Sequence, residues 1–179
     1  VFGLSYAALV LWPLGYPDQA LQKGEAAQTL AQERSHLFSV AAARFYATLL
    51  HQLRRDRPLT QECVEAGITL ANEQGFPNFL APGTILQGWA RAEQGQSEEG
   101  ITQIRQGLAI NQAVGAEIFH PYNLALLAEA CGKAGQVAEG LSALGEALAV
   151  IDKTGERFYE AELYRLKGEL VLQSGVRGP

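Results

Sequence analysis

Gly95-Gln96-Ser97-Glu98-Glu99-Gly100-Ile101 returns forty residues later as Gly135-Gln136-Val137-Ala138-Glu139-Gly140-Leu141, and the runs stay in step to Gly107-Leu108 and Ala147-Leu148. The same period extends through the chain. One column reads Gly15, Arg55, Gly95, Gly135 and Gly175, a second Ser35, Gly75, Gly115 and Gly155. Self-similarity of this length marks a stacked repeat, with units at approximately 1–35, 36–75, 76–115, 116–155 and a half unit at 156–179. The units are expected to form a single superhelical domain over 1–179.

Each unit holds two helical stretches. Leu124, Leu127, Ala128 and Cys131 fall on one face of a first helix, and Leu141, Leu144, Leu148 and Ile151 on one face of a second. Spacings of three and four residues are helical, and the alternation of a strand is absent. The glycine columns supply left-handed turn positions at the helix ends, and Pro77 and Pro121 open the next helices, where a missing N–H costs little. The spacing predicts an all-α fold, a right-handed α-solenoid of antiparallel helix pairs with about nine helices. Pro82-Gly83 interrupts the fifth, which starts near Ala81 or kinks there.

Small residues recur at set places. First helices carry Ala8, Thr48, Gly88, Ala128 and Gly168; second helices carry Ala20, Thr60, Gly100 and Gly140, then Ala27, Gly67, Gly107 and Ala147. Glycine inside a helix costs about 1 kcal/mol against alanine, so these columns predict close approach of helix axes.

This pattern resembles the tetratricopeptide repeat (TPR), stretched from 34 residues to forty. Leu14-Gly15-Tyr16-Pro17-Asp18-Gln19-Ala20-Leu21, the run from Gly88-Trp89-Ala90 through Glu93 to Gly95-Gln96, and the run from Gly155-Glu156-Arg157-Phe158-Tyr159 to Gly168-Glu169-Leu170 are similar to the C-terminal repeat tails of large bacterial regulators. The resemblance implies a parent protein with a STAND-type ATPase and an output domain, such as a class III adenylate or guanylate cyclase or a DNA-binding domain. It also implies a cytoplasmic signalling role. The absence of methionine and the start at Val1 fit an excerpt of such a protein.

Composition and motifs argue against chemistry in the chain itself. Fourteen Lys and Arg against 19 Asp and Glu leave a net charge of -5, which disfavours nucleic acid as a partner. The apolar opening from Val1 to Tyr16 is shorter than the ~20 residues of a membrane span and is broken by Pro13 and Gly15. It reads instead as a helix apolar on several faces. Cys63 and Cys131 stand far apart with no CxxC context, which excludes a disulfide framework and a zinc finger. Gly132-Lys133-Ala134 lacks the rest of a phosphate-binding loop. His36, His51 and His120 have no second ligand at helical spacing, so no metal site is expected, and no cofactor. The basic cluster Arg54, Arg55, Asp56 and Arg57 reads as a solvated turn or an anionic contact. No catalytic residue is expected.

The candidate site is a partner-binding groove. In the TPR frame Phe45, Ile85 and Trp89 face the inner surface, with Glu129 and Arg165 further along the same columns. Exposed aromatic residues there would anchor a bound segment; Trp89 equally reads as packing against the next helix pair. The columns lack the Lys and Asn pattern by which chaperone-binding relatives hold a C-terminal carboxylate. The expected function is a non-catalytic protein-interaction or sensor module that binds a protein, a peptide or neighbouring domains of its own chain. The alternatives are a passive spacer between ATPase and output domains, and a small-ligand receptor using the groove. The apolar terminal helices further predict a homodimer.

Overall fold

The computed structural model describes residues 1–115 and 118–175. Residues 116 and 117 of the fourth repeat and 176–179 of the last half repeat lie outside them. Among the described residues the chain is all helix: α1 (Phe2–Leu11), α2 (Pro17–Glu33), α3 (Leu37–Leu53), α4 (Arg57–Gln74), α5 (Pro77–Glu93), α6 (Ser97–Ala113), α7 (His120–Lys133), α8 (Val137–Thr154) and α9 (Glu160–Gln173). They pair as antiparallel hairpins, the α-solenoid arrangement that the period predicts.

The turns are local backbone chemistry. Every member of both columns has positive φ, from 51° at Ser35 to 88° at Gly95, and the non-glycine Ser35 and Arg55 adopt the same conformation as the glycines around them. Pro17 and Pro77 are the first residues of α2 and α5, where an unpaired N–H would otherwise be left. His36 caps α3, its Nδ1 accepting from the Ser39 N–H at 3.3 Å, and Asp56 caps α4 by accepting from the Leu59 N–H at 3.3 Å.

The chain forms two compact units, Val1–Gln87 and Gly88–Pro179, divided within α5. In the first, α1 packs on α2 and α3, α2 on α3, and α3 on α4. Its core is built largely of alanine: Ala20, Ala31, Ala42 and Ala71 are fully buried, and Thr60 survives there because its hydroxyl donates to the Asp56 carbonyl at 2.7 Å. In the second unit α7 is the central element, packed on α6, α8 and α9, and buried from Pro121 through Ala128.

Two expectations need correction. The fifth helix starts at Pro77, not near Ala81, and runs on through Pro82. Pro82 lies early enough that its missing N–H removes one bond near the helix start, and Gly83 lets the segment approach α4, since a Cβ there would meet the Ile68 side chain at 2.9 Å. The small-residue columns are also not uniformly tight. A Cβ on Gly100 would lie 2.5 Å from the Gly88 carbonyl oxygen, and one on Gly88 would lie 2.6 Å from that of Gly100. Gly140 is similarly confined by the Leu170 side chain at 2.8 Å, but Gly67 and Gly168 have nothing within 4 Å. Close approach is thus a property of particular crossings and not of the column.

Candidate interaction surface

In the unit Val1–Gln87, Phe45 belongs to a run of aromatic rings that crosses the first helix of each hairpin. Phe2 and Tyr6 of α1 meet Phe38 and Tyr46 of α3: Phe2 lies 6.4 Å from Phe38 and 6.3 Å from Tyr46, and Tyr6 lies 5.0 Å from Tyr46. Phe38 then contacts Phe76 at 5.3 Å and Phe79 at 5.2 Å, and Phe45 bridges Tyr46 at 5.3 Å and Phe79 at 6.0 Å. These are the offset and edge-on distances at which aromatic quadrupoles attract. The rings are not sealed. Phe2 is 42 % and Tyr6 46 % exposed, and the other five are half-buried.

Stiff rings held by each other form a surface that loses little entropy when covered. The Tyr46 hydroxyl donates to the Tyr6 hydroxyl at 2.9 Å, across one repeat period of 40 residues. Burial, followed by that neighbour, raises the Tyr46 phenol above its ordinary value and keeps it a neutral donor. Beneath Phe45 the cavity holds only about 10 Å³, the space of one water, so this is a contact face and not a ligand pocket.

The other groove candidates behave differently. Ile85 is 0 % and Trp89 1 % exposed, so neither is the exposed anchor that the sequence reading offered. Trp89 is a core residue whose indole N–H donates to the Glu129 carboxylate at 3.0 Å, again one period away. Arg165 is exposed on α9 and donates to Glu162 at 2.7 Å and to Glu169. Its hydrogen bonds to Glu162 raise its guanidinium pKa further. Lys133 pairs with Glu93 at 3.0 Å. In the unit from Gly88 onward the predicted groove residues are therefore engaged with their own neighbours.

Sequence reasoning found Phe45 and missed the six rings around it. Tyr6 and Tyr46 carry the forty-residue signal, one place beyond the column of Ser5 and Phe45; Phe38, Phe76 and Phe79 share no column and meet only through packing.

Reactive groups are quiet. Burial pushes the Cys131 thiol up to about 11 and raises that of Cys63, so neither has the depressed pKa of a nucleophile. Burial, then Arg54, lowers the His51 pKa. Arg54 lies 3.7 Å from Asp56, the cap of α4, which ties the basic cluster to the turn. Among the described residues no three His, Cys, Asp or Glu side chains are grouped to hold a metal, and no helix is long and apolar enough to cross a membrane.

Comparison with known proteins places this arrangement. The structure superposes on a crystal structure of a Podosopora anserina protein described as a kinesin light chain with nearly identical TPR-like repeats. The TM-score is 0.62 at 17 % sequence identity, over 97 % of this chain and 86 % of the other. The fold is TPR-like. In sequence, the chain is 26 % identical over 184 residues to an uncharacterized protein of Rhizobium meliloti (strain 1021). The alignment takes in 99 % of this chain but 17 % of that protein's length. No protein-family model matches the chain.

Proposed function

We propose that the chain is a non-catalytic protein-interaction module of a larger bacterial signalling regulator in the cytoplasm, working as one repeat array over 1–179. On this reading the aromatic face of α1, α3 and the start of α5 takes up an apolar segment of a partner protein or of a neighbouring domain. The observation that carries it is the partly open run of seven rings around Phe45, because soluble chains rarely leave so much contiguous aromatic surface without use. The TPR-like fold supports protein rather than nucleic-acid partners, and the net charge of -5 agrees.

Selection from a random peptide library on the immobilised chain tests the reading. Peptides rich in aromatic and aliphatic residues are expected to be enriched. Phe45→Ala or Tyr6→Ala should weaken their binding by about 2 kcal/mol while leaving the helical circular dichroism intact. No enrichment, or binding indifferent to both substitutions, would favour the passive spacer.

A homodimer through the terminal helices is the second reading, favoured by one observation. Phe2, Tyr6 and Val10 form an exposed stripe on α1, with Val10 55 % exposed, while Leu9 is turned inward at 4 %. Sedimentation over a concentration series should show a monomer–dimer equilibrium that Val10→Lys abolishes. A monomer at every concentration would overturn this reading.

A further inference from the structure

The hairpins close at recurring places on their first helices. In the column of Arg44 and Leu124, the Arg44 guanidinium donates to the Ala66 carbonyl of α4 at 3.2 Å. In the column of Ala8, Thr48, Gly88 and Ala128, a Cβ on Gly88 would lie 2.6 Å from the Gly100 carbonyl oxygen of α6. A Cβ on Gly140 of α8 would lie 3.1 Å from the Ala128 carbonyl oxygen and 3.4 Å from Cβ of Cys131, which stands three residues further along α7. All four members of the middle column are buried, and α1, α3, α5 and α7 each pack on the helix that follows.

On α9 the same places are Tyr164, Gly168 and Val171, spaced as one face of a helix, with Leu172 beside them. This face is open. Tyr164 is 57 % and Leu172 82 % exposed, Gly168 is exposed, and a Cβ built on it would meet nothing within 4 Å. The opposite face of α9 is already used, with Leu163, Leu166 and Leu170 buried and the helix packed on α7 and α8. Apolar side chains around a bare stretch of backbone form a surface on which another helix axis can approach closely, and they lose free energy while wet.

The other copies show what fits such a face. The covering helix carries inward residues at intervals of four, three and four: Ala20, Gly24, Ala27 and Ala31 in α2, and Gly140, Leu144, Ala147 and Ile151 in α8. Helices α4 and α6 keep the spacing, with Thr60 and Gly67, and Gly100 and Gly107, in the first and third places. Small residues stand there because backbone meets backbone at the crossing, as Gly88 and Gly100 do.

We propose that the open face of α9 is a docking site for an amphipathic helix of a partner protein, one that places a glycine or alanine on Gly168, a second small residue seven positions on, and aliphatic residues between and after them. It lies antiparallel on α9, as α8 lies on α7. The occupant is chosen by the four hairpins of this chain, independently of the aromatic face of the first unit.

Titration of the isotope-labelled chain with a synthetic peptide of the α8 sequence, Val137–Thr154, tests the site by nuclear magnetic resonance. Saturable shifts are expected at Tyr164, Gly168 and Leu172. Gly168→Leu has room in the unbound chain, so its melting temperature should not fall, but the new side chain would stand in the crossing and weaken peptide binding about tenfold or more. The Gly140→Leu peptide should fail to the same extent. No saturable shifts on α9, or equal binding by the Gly168→Leu chain, would overturn the proposal. So would shifts at Leu124 and Cys131 of α7 in place of α9, which would mean that the peptide exchanges with α8. A dimer of the free chain that Gly168→Leu dissociates would overturn it as well, by giving the face to a second copy.

Discussion

Trp89→Ala is expected to destabilise the second unit by about 3–5 kcal/mol, the range for removing a fully buried large aromatic. The indole is 1 % exposed and donates to Glu129, so truncation opens a void and takes a donor from a half-buried carboxylate. Trp89→Phe separates the two effects. It keeps most of the volume and loses the N–H, and should cost about 1.5–3 kcal/mol, the worth of a hydrogen bond to a charged group. Urea denaturation followed by circular dichroism reads both. A loss below about 1 kcal/mol for Trp89→Ala would mean that the residue is not the core element described. This burial also decides how binding should be probed: Trp89 substitutions report on folding, and the half-open Phe45 and Tyr6 report on partners.

Gly100→Ala and Gly145→Ala are expected to move stability in opposite directions. At Gly100 the added methyl would sit 2.5 Å from the Gly88 carbonyl oxygen and 3.0 Å from the Ala92 backbone nitrogen and Cβ, and backbone cannot rotate aside. Overpacking of about 3 kcal/mol, less the ~1 kcal/mol that alanine gains in helix propensity, leaves a loss of about 2 kcal/mol. For a chain of this length that lowers the thermal midpoint by roughly 4–8 °C. At Gly145 a methyl would meet nothing within 4 Å on an exposed face, so the propensity gain stands alone and the midpoint rises. Gly67→Ala and Gly168→Ala belong with Gly145, although the repeat alignment groups them with tight positions. Equal melting temperatures for Gly100→Ala and Gly145→Ala would remove close axial approach as the reason for the conserved spacing of small residues within this chain.

What the sequence by itself determined is whatever acts between near neighbours in the chain and repeats every forty residues. The helix pairs, the left-handed turns at Gly95 and Gly135, the proline starts and the caps at His36 and Asp56 all belong here. A positive φ or a missing N–H is a property of one residue and its next few, so recurrence reveals it without knowledge of packing. Tertiary structure decided which face meets which. Gly100 and Gly67 look alike in the alignment, but only the crossing of α5 and α6 puts a backbone oxygen against the first. Ile85 and Phe45 share a groove column as sequence, yet one is sealed by packing and the other remains half-open among rings from three helices. Hydrophobic periodicity tells which side of a helix turns inward; the distance and angle at which two inward sides meet are set by all the side chains between them, which no single column of a repeat contains.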